Sequence, residues 1–272
     1  MLNGIPLAML AAAAEAGEHG AHEETLADVI MHHISNASMG VPLLDEWAIS
    51  KAVVMMLIAS VTLIVVVGAA TRKSALGSAP KGVTNALEFI VVFIRDQIAV
   101  ANMGEKYGRA FTPFLCTLFL FILTCNLLGM VPGGYTATSN LNVTMTLALI
   151  TLMLIVASGV ASQGLFGYVK HFVPPGTPLV VAPLVFVIEI LSLLVKPVAL
   201  TIRLGANMTA GHIVILVMLG FIFVFKSLLV APLSLGLAVA IYLLEIIVAL
   251  IQAYVFTLLT SLFIGMVVHE SH

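Results

Sequence analysis

Charged side chains are the scarcest chemistry in this chain. Lys, Arg, Asp and Glu together make up 9% of 272 residues, where a soluble globular domain carries about 25%. That shortage leaves no room for a separate soluble domain of useful size, and it excludes the basic surface that a nucleic-acid partner requires. Catalytic signatures are lacking as well. No G-x-x-x-x-G-K-S/T loop for a nucleotide and no H-E-x-x-H zinc helix occurs, so no nucleotide site, cofactor or metal centre is expected. An intramembrane hydrolase would need a nucleophile beside a base, and no such set is visible. Only two cysteines are present, Cys116 and Cys125. Nine residues apart on one apolar helix they point in roughly opposite directions, so they are read as small apolar fillers and not as a disulfide.

Apolar sequence is what remains, 61% of the chain, and it falls into runs long enough to cross a bilayer. The expected fold is an all-α polytopic membrane protein of about five transmembrane helices and one interfacial amphipathic helix. Residues 1–50 carry seven acids (Glu15, Glu18, Glu23, Glu24, Asp28, Asp45, Glu46) and no Lys or Arg. The loop after the first apolar run holds Arg72, Lys73, Lys81, Arg95, Lys106 and Arg109. The positive-inside rule then puts residues 1–50 outside, as an acidic extracytoplasmic segment, and the loop and C-terminus in the cytoplasm. Met1 to Ala16 is apolar but has no basic n-region, which makes it a poor signal peptide. His19, His22, His32 and His33 lack ligand spacing and are read as a solvated loop or surface helix.

Residues 51–272 form a single membrane domain. Residues 52–70 are an uncharged span that stops at Arg72-Lys73, and Gly77 to Pro80 breaks the chain. Residues 81–103 repeat apolar positions at steps of three and four (Val83, Leu87, Ile90, Val91, Ile94, Ile98), an amphipathic helix in the cytoplasmic interface. Glu88 or Asp96 as a buried functional carboxylate is the sharper but weaker reading. Residues 111–131 and 143–165 make a helical hairpin. Its first arm holds Asn126, and its outside connection passes through Pro132-Gly133-Gly134-Tyr135, Thr138, Ser139, Asn140 and Asn142. Lys170, His171, Pro174, Pro175 and Pro178 form the next cytoplasmic loop.

Two anomalous runs end the chain, residues 179–225 and 227–268. As straight helices they would reach roughly 70 and 63 Å, against a hydrocarbon core of about 30 Å. Each either divides in two or is one strongly tilted helix; without a proline in the polar stretch Arg203–Gly211, two long tilted helices hairpinned around Phe225-Lys226 are expected. The first contains Glu189, Lys196, Arg203, Asn207 and His212. At about 100° per residue the first four share one stripe and His212 faces the other way. Glu245 and Gln252, seven apart in the second run, also share a stripe. A charge at membrane depth is costly, so Arg203 marks a functional site by default. Glu189 lies fourteen residues off, about 21 Å along a straight helix, too far to pair; a structural Arg203–Glu245 pair stays open.

The segments SLLVKPVALTIRLGANMTAGH (Ser192–His212) and LLEIIVALIQAYVFTLL (Leu243–Leu259) resemble subunit a of the F-type ATP synthase. The R-L-x-x-N-M-x-A-G core and the Glu-x6-Gln spacing carry the resemblance, and the order of apolar runs fits over most of the chain; the first 45 or so residues carry no matching motif. The resemblance implies a stator subunit that passes protons through two offset half-channels to and from the carboxylates of a rotor c-ring. The implied partners are that c-ring, peripheral-stalk b subunits, membrane lipid and H+ or Na+, in a bacterial inner membrane. It implies that Arg203 is the essential cation, that Asn207 and Gln252 line the path beside it, and that His212 and Glu245 hold the family's His and acid. Glu189 is implied on the cytoplasmic side, and Asn126, Asn140 and Asn142 near the outside entrance. Lys196 matches the family's Lys-Pro and is read as a helix anchor before a functional group. A stand-alone ion-coupled secondary transporter is the alternative, but no internal repeat supports it.

Overall fold

The computed structural model describes residues 50–73, 82–131, 135–172, 177–178, 180–225 and 230–269. The acidic segment 1–49, the Gly77–Pro80 break, the Pro132–Gly134 turn, Pro174 and Pro175, and the Lys226 turn lie outside them.

Apart from short connections the described residues are helical, because in hydrocarbon each backbone N–H and C=O needs a partner within its own segment. Helix α1 spans Lys51–Lys73 and α2 spans Val83–Phe93. A π-helical stretch, Ile94–Val100, leads into α3, Ala101–Met130. A single 3-10 turn, Ala137–Ser139, precedes α4, Leu141–His171. The last two are α5, Ala182–Phe225, of 44 residues, and α6, Val230–His269, of 40. Five of the helical runs are long and apolar enough to cross a membrane. Among the described residues there is no β-sheet. The fold is an all-α polytopic membrane protein.

Two features qualify the simple helical runs. The expected interfacial helix and the following span are one continuous helical path, broken at Gly104 (φ 72, ψ 173). That left-handed conformation is strained for any residue with a Cβ, so the glycine permits a change of direction after Met103. Gly164 repeats the device inside α4 (φ 74, ψ 165). Within the π stretch the Ile98 oxygen accepts side-chain bonds from Asn102 Nδ2 at 2.8 Å and from Ser261 Oγ on α6 at 2.9 Å. A helix irregularity thereby fastens α6 to the start of α3.

The packing core lies where α3, α4, α5 and α6 meet. Ile94, Ile98, Met103, Leu115, Ile122, Ile155, Leu204, Phe256 and Ile264 are buried there. Outside it, Ile64, Phe89 and Met153 are each more than 70% exposed, and large exposed apolar faces mark a membrane or partner surface. The hairpin of α5 and α6 is antiparallel. Asn207 meets Gln252, His212 meets Glu245, and the Ser234 hydroxyl donates to the Met218 carbonyl, so the numbers rise on one helix as they fall on the other. Helix α6 also runs antiparallel to α3: Asn126 Nδ2 donates to the Ala249 carbonyl at 3.3 Å and Tyr242 Oη to the Met130 carbonyl at 3.1 Å. Both cysteines are free and buried.

Candidate functional site

The polar residues of the two long helices divide into an outward set and an inward set. The division follows from helix geometry. Leu200, Thr201, Leu204 and Met208 turn into the protein, so Arg203 and Asn207, offset from that stripe, are left exposed. Among the described residues Arg203 has neither an ion-pair nor a hydrogen-bond partner. Asn207 Nδ2 donates to Gln252 Oε1 at 3.3 Å, linking the exposed face to the buried Gln252. Glu189 is exposed about four helical turns before Arg203. Lys196 lies between the two in sequence, its Nζ 4.8 Å above the ring of Phe263. This cation–π contact fits the reading of Lys196 as an anchor between α5 and α6.

His212 turns inward, as its position nine residues beyond Arg203 requires. Its Nδ1 lies 2.5 Å from Glu245 Oε1 on α6. Its Nε2 lies 2.8 Å from Thr136 Oγ1 and 3.2 Å from the Gly129 carbonyl oxygen. Three elements thus converge on one imidazole: the C-terminal turn of α3, the stretch before the 3-10 turn, and α6. The Glu245 side chain is only 3% exposed and that of His212 22%. The pair can therefore hold one labile proton between nitrogen and oxygen, shielded from solvent, where such contacts are strengthened. Glu245 does not reach Arg203, so the Arg203–Glu245 pair left open by the sequence is not formed.

Glycines make this closeness feasible. A Cβ on Gly211 would stand 2.8 Å from Glu245 Oε1 and 2.9 Å from its Cδ. A Cβ on Gly129 would collide with the Oγ1, Cβ and Cα of Thr136. The imidazole and carboxylate are packed between two bare backbones. Two buried polar atoms of the site, Glu245 Oε2 and Gln252 Nε2, have no hydrogen-bond partner among the described residues. Leaving such atoms orphaned costs about 1–3 kcal/mol each, which a purely structural cluster would avoid.

The outside residues form a second polar cluster. Asn126 is fully buried; its Oδ1 accepts from Thr138 Oγ1 at 2.6 Å while its Nδ2 donates to Ala249. Asn140 Oδ1 accepts from the Asn142 backbone N–H at 2.9 Å. Asn140 and Asn142 line a cavity of about 440 Å³, together with Ser50, Thr146 and apolar residues of α1, α3 and α4. Asn126 is therefore placed in the interior, while Asn140 and Asn142 are at a cavity near the surface.

Several participants were invisible in the sequence. Thr136, the Gly129 carbonyl, Gly211 and Tyr242 contact or shape the site without belonging to any charged stripe. Thr136 directly follows the Pro132–Tyr135 turn signal, which gives it the look of ordinary loop sequence. Glu88 is exposed, and Asp96 forms a 2.7 Å surface ion pair with Arg95; neither is buried at a site.

Comparison with known proteins bears on the family of the chain. Residues 53–265 match the family model described as ATP synthase A chain. The protein named ATP synthase subunit a of Chloroherpeton thalassium is 50% identical over 229 residues, covering 83% of this chain and 68% of that one. That of Anaeromyxobacter dehalogenans is 43% identical over 288 residues, covering 94% of this chain and 75% of its own. The ATP synthase subunit a 2 of Chlorobaculum tepidum is 44% identical over 277 residues, covering 96% and 78%. The matched region contains α5, all but the last four residues of α6, and Arg203, His212 and Glu245, and the chain belongs to the ATP synthase A chain family.

Proposed function

We propose that this chain is the stator subunit of a rotary F-type ATP synthase that leads protons to and from a ring of rotor subunits, each carrying a carboxylate. The observation that carries the reading is Arg203, exposed on α5 among apolar side chains and without a partner among the described residues. An unpaired guanidinium facing lipid is costly. A carboxylate presented by a neighbouring subunit would satisfy it.

The physics of that meeting supplies the mechanism. Guanidinium stays charged at any working pH. A ring carboxyl that reaches Arg203 is favoured as carboxylate and gives up its proton to the exit half-channel. Once rotated into lipid, the carboxylate is too costly to remain charged, so it must first take a proton from the entry half-channel. Arg203 also bars a protonated carboxyl from passing straight between the two half-channels, which ties proton flow to rotation.

Buried His212 and Glu245 are suited to the entry side, since imidazole and carboxyl exchange protons near neutral pH when modestly perturbed. Asn126, Asn140 and Asn142 belong to its outer approach, and Gln252 and Asn207 to its inner end beside Arg203. Glu189 belongs to the cytoplasmic exit. The acidic segment 1–50 and the basic loop that follows α1 support an orientation with the N-terminus outside and the C-terminus cytoplasmic in a bacterial inner membrane. The c-ring covers the exposed face of the α5–α6 hairpin, and peripheral-stalk b subunits hold the chain still. The coupling ion is H+.

The test is ATP-driven acidification of vesicles containing the assembled complex in sodium-free buffer, with wild type beside Arg203→Gln. Acidification that vanishes in the variant, at unchanged subunit content, supports the role of Arg203. Sodium uptake without acidification in the wild type would overturn the choice of ion, and unchanged pumping by the variant would overturn the role of Arg203.

A further inference from the structure

His212 faces a problem that two of its neighbours do not solve. Toward Nδ1 it meets the Glu245 carboxyl, which accepts when ionised. Toward Nε2 it meets the Gly129 carbonyl, which accepts only. An imidazolium, with hydrogens on both nitrogens, satisfies both. A neutral imidazole that keeps Nδ1–H for the carboxylate leaves a bare Nε2 lone pair against a carbonyl oxygen, a buried contact between two acceptors. A site built from Glu245 and Gly129 alone would therefore resist losing the proton it is meant to pass on.

Thr136 removes the obstacle. We propose that the Thr136 hydroxyl is a positioning group for proton transfer: it turns between donor and acceptor so that His212 keeps one orientation in both charge states. The inference rests on the proposed proton-carrying role of His212 and Glu245. Oγ1 lies 2.8 Å from Nε2, and a hydroxyl offers one donor and two acceptor positions with a freely turning hydrogen. With neutral His212, Thr136 O–H donates to bare Nε2 and Nδ1–H donates to Glu245. When hydronium gives a proton to Nε2, water is left and one N–H bond has formed. The new Nε2–H then donates to the Gly129 carbonyl and to Thr136 Oγ1, whose hydrogen turns away. The ring's positive charge is balanced by the Glu245 carboxylate, and no heavy atom has to move.

The surroundings hold Oγ1 for this task. Thr136 is 1% exposed and sits in extended backbone (φ −75, ψ 105) before the 3-10 turn. Its carbonyl accepts from the Ser139 N–H at 3.0 Å and from Ser139 Oγ at 2.7 Å, so the residue is pinned on its backbone side. Gly129 lies against it with no room for a Cβ. The oxygen is fixed while the hydrogen stays free.

Packing and hydrogen bonding make opposite demands at this position, which gives the test its edge. Valine keeps the shape of threonine and loses the hydroxyl; serine keeps the hydroxyl and loses the methyl. ATP-driven acidification is to be measured for the reconstituted complex carrying Thr136→Val, Thr136→Ser, Thr136→Ala or His212→Gln, each normalised to assembled subunit content. The expected order is near wild-type pumping for serine and a roughly three- to tenfold loss for valine and alanine, the equivalent of one hydrogen bond. His212→Gln should lose most. Valine pumping like wild type while His212→Gln is impaired would overturn the inference and leave the proton path standing. Unimpaired His212→Gln would overturn the path itself. Failure of both valine and alanine to assemble, with serine assembling, would make the hydroxyl a folding group and overturn the inference as well.

Discussion

Gly211→Ala sets stability and transport against each other. In a helix interior alanine is favoured over glycine by about 1 kcal/mol, so on helix propensity alone the variant should fold and assemble at least as well as wild type. The added methyl, however, would stand 2.8 Å from Glu245 Oε1, 2.9 Å from Cδ and 3.4 Å from Cγ. Ordinary contact needs roughly 3.2 Å to oxygen and about 3.5–4.0 Å to carbon, so the carboxylate must retreat by some tenths of an ångström up to about 1 Å. That carboxylate is the one held 2.5 Å from His212 Nδ1. Directed away from Nδ1, a retreat of that size lengthens the bond to about 2.9–3.5 Å, and a full retreat carries it past its useful range. A hydrogen bond to a charged group is worth about 1.5–3 kcal/mol, which as a barrier change is roughly a ten- to hundredfold loss of rate. The neighbouring atoms are the end of a flexible side chain, so relief comes from Glu245 and not from the backbone. The assay is vesicle acidification per assembled complex, with subunit content and thermal dissociation measured in parallel. Normal assembly is expected with reduced pumping, the loss reaching tenfold or more at a full retreat. Wild-type pumping by Gly211→Ala would refute the claim that the His212–Glu245 contact lies on the proton path.

The other perturbations read different parts of the same region. In Gly129→Ala the new methyl meets the Thr136 Cα as well as its side chain; backbone cannot rotate away, so here assembly itself should fall, measured as subunit content of purified membranes. Asn126→Ala removes the acceptor of the Thr138 hydroxyl and the donor to the Ala249 carbonyl. At about 1–2 kcal/mol for these groups, the complex should dissociate at a lower temperature, with pumping affected less than in Gly211→Ala.

Helix existence was legible because a bilayer leaves few options. A run of about 20 apolar residues has to be helical when no water can satisfy its backbone, and five such runs stand among the described residues. The two long runs were harder, since length alone allowed either two spans or one. The absence of a proline between Arg203 and Gly211 decided for single helices, and α5 runs through that stretch unbroken from Ala182 to Phe225. The course between residues 81 and 131 was less legible. The spacing of apolar residues announced an amphipathic helix, but not its continuation through a π-helical stretch and the Gly104 break, where Ile98 is met by Ser261 from 163 residues away in sequence.

The site was legible only on the helices that carry charge. Periodicity separated Arg203 from His212 and grouped Glu245 with Gln252, because each comparison lies within one helix and needs only the angle per residue. Which charge meets which group is a matter of register between helices. The sequence left Glu245 free to choose Arg203; antiparallel pairing puts it at His212, because the contacts joining α5 to α6 pair residues whose numbers add to nearly the same sum. Residues with neither a charge nor a side-chain amide escaped. Thr136 gains its importance from standing 2.8 Å from a nitrogen 76 residues away, and Gly129 and Gly211 from what they omit. A scan for costly groups in a membrane finds the ions. The hydroxyl beside His212 and the bare backbones around the pair carry no charge and leave no such trace.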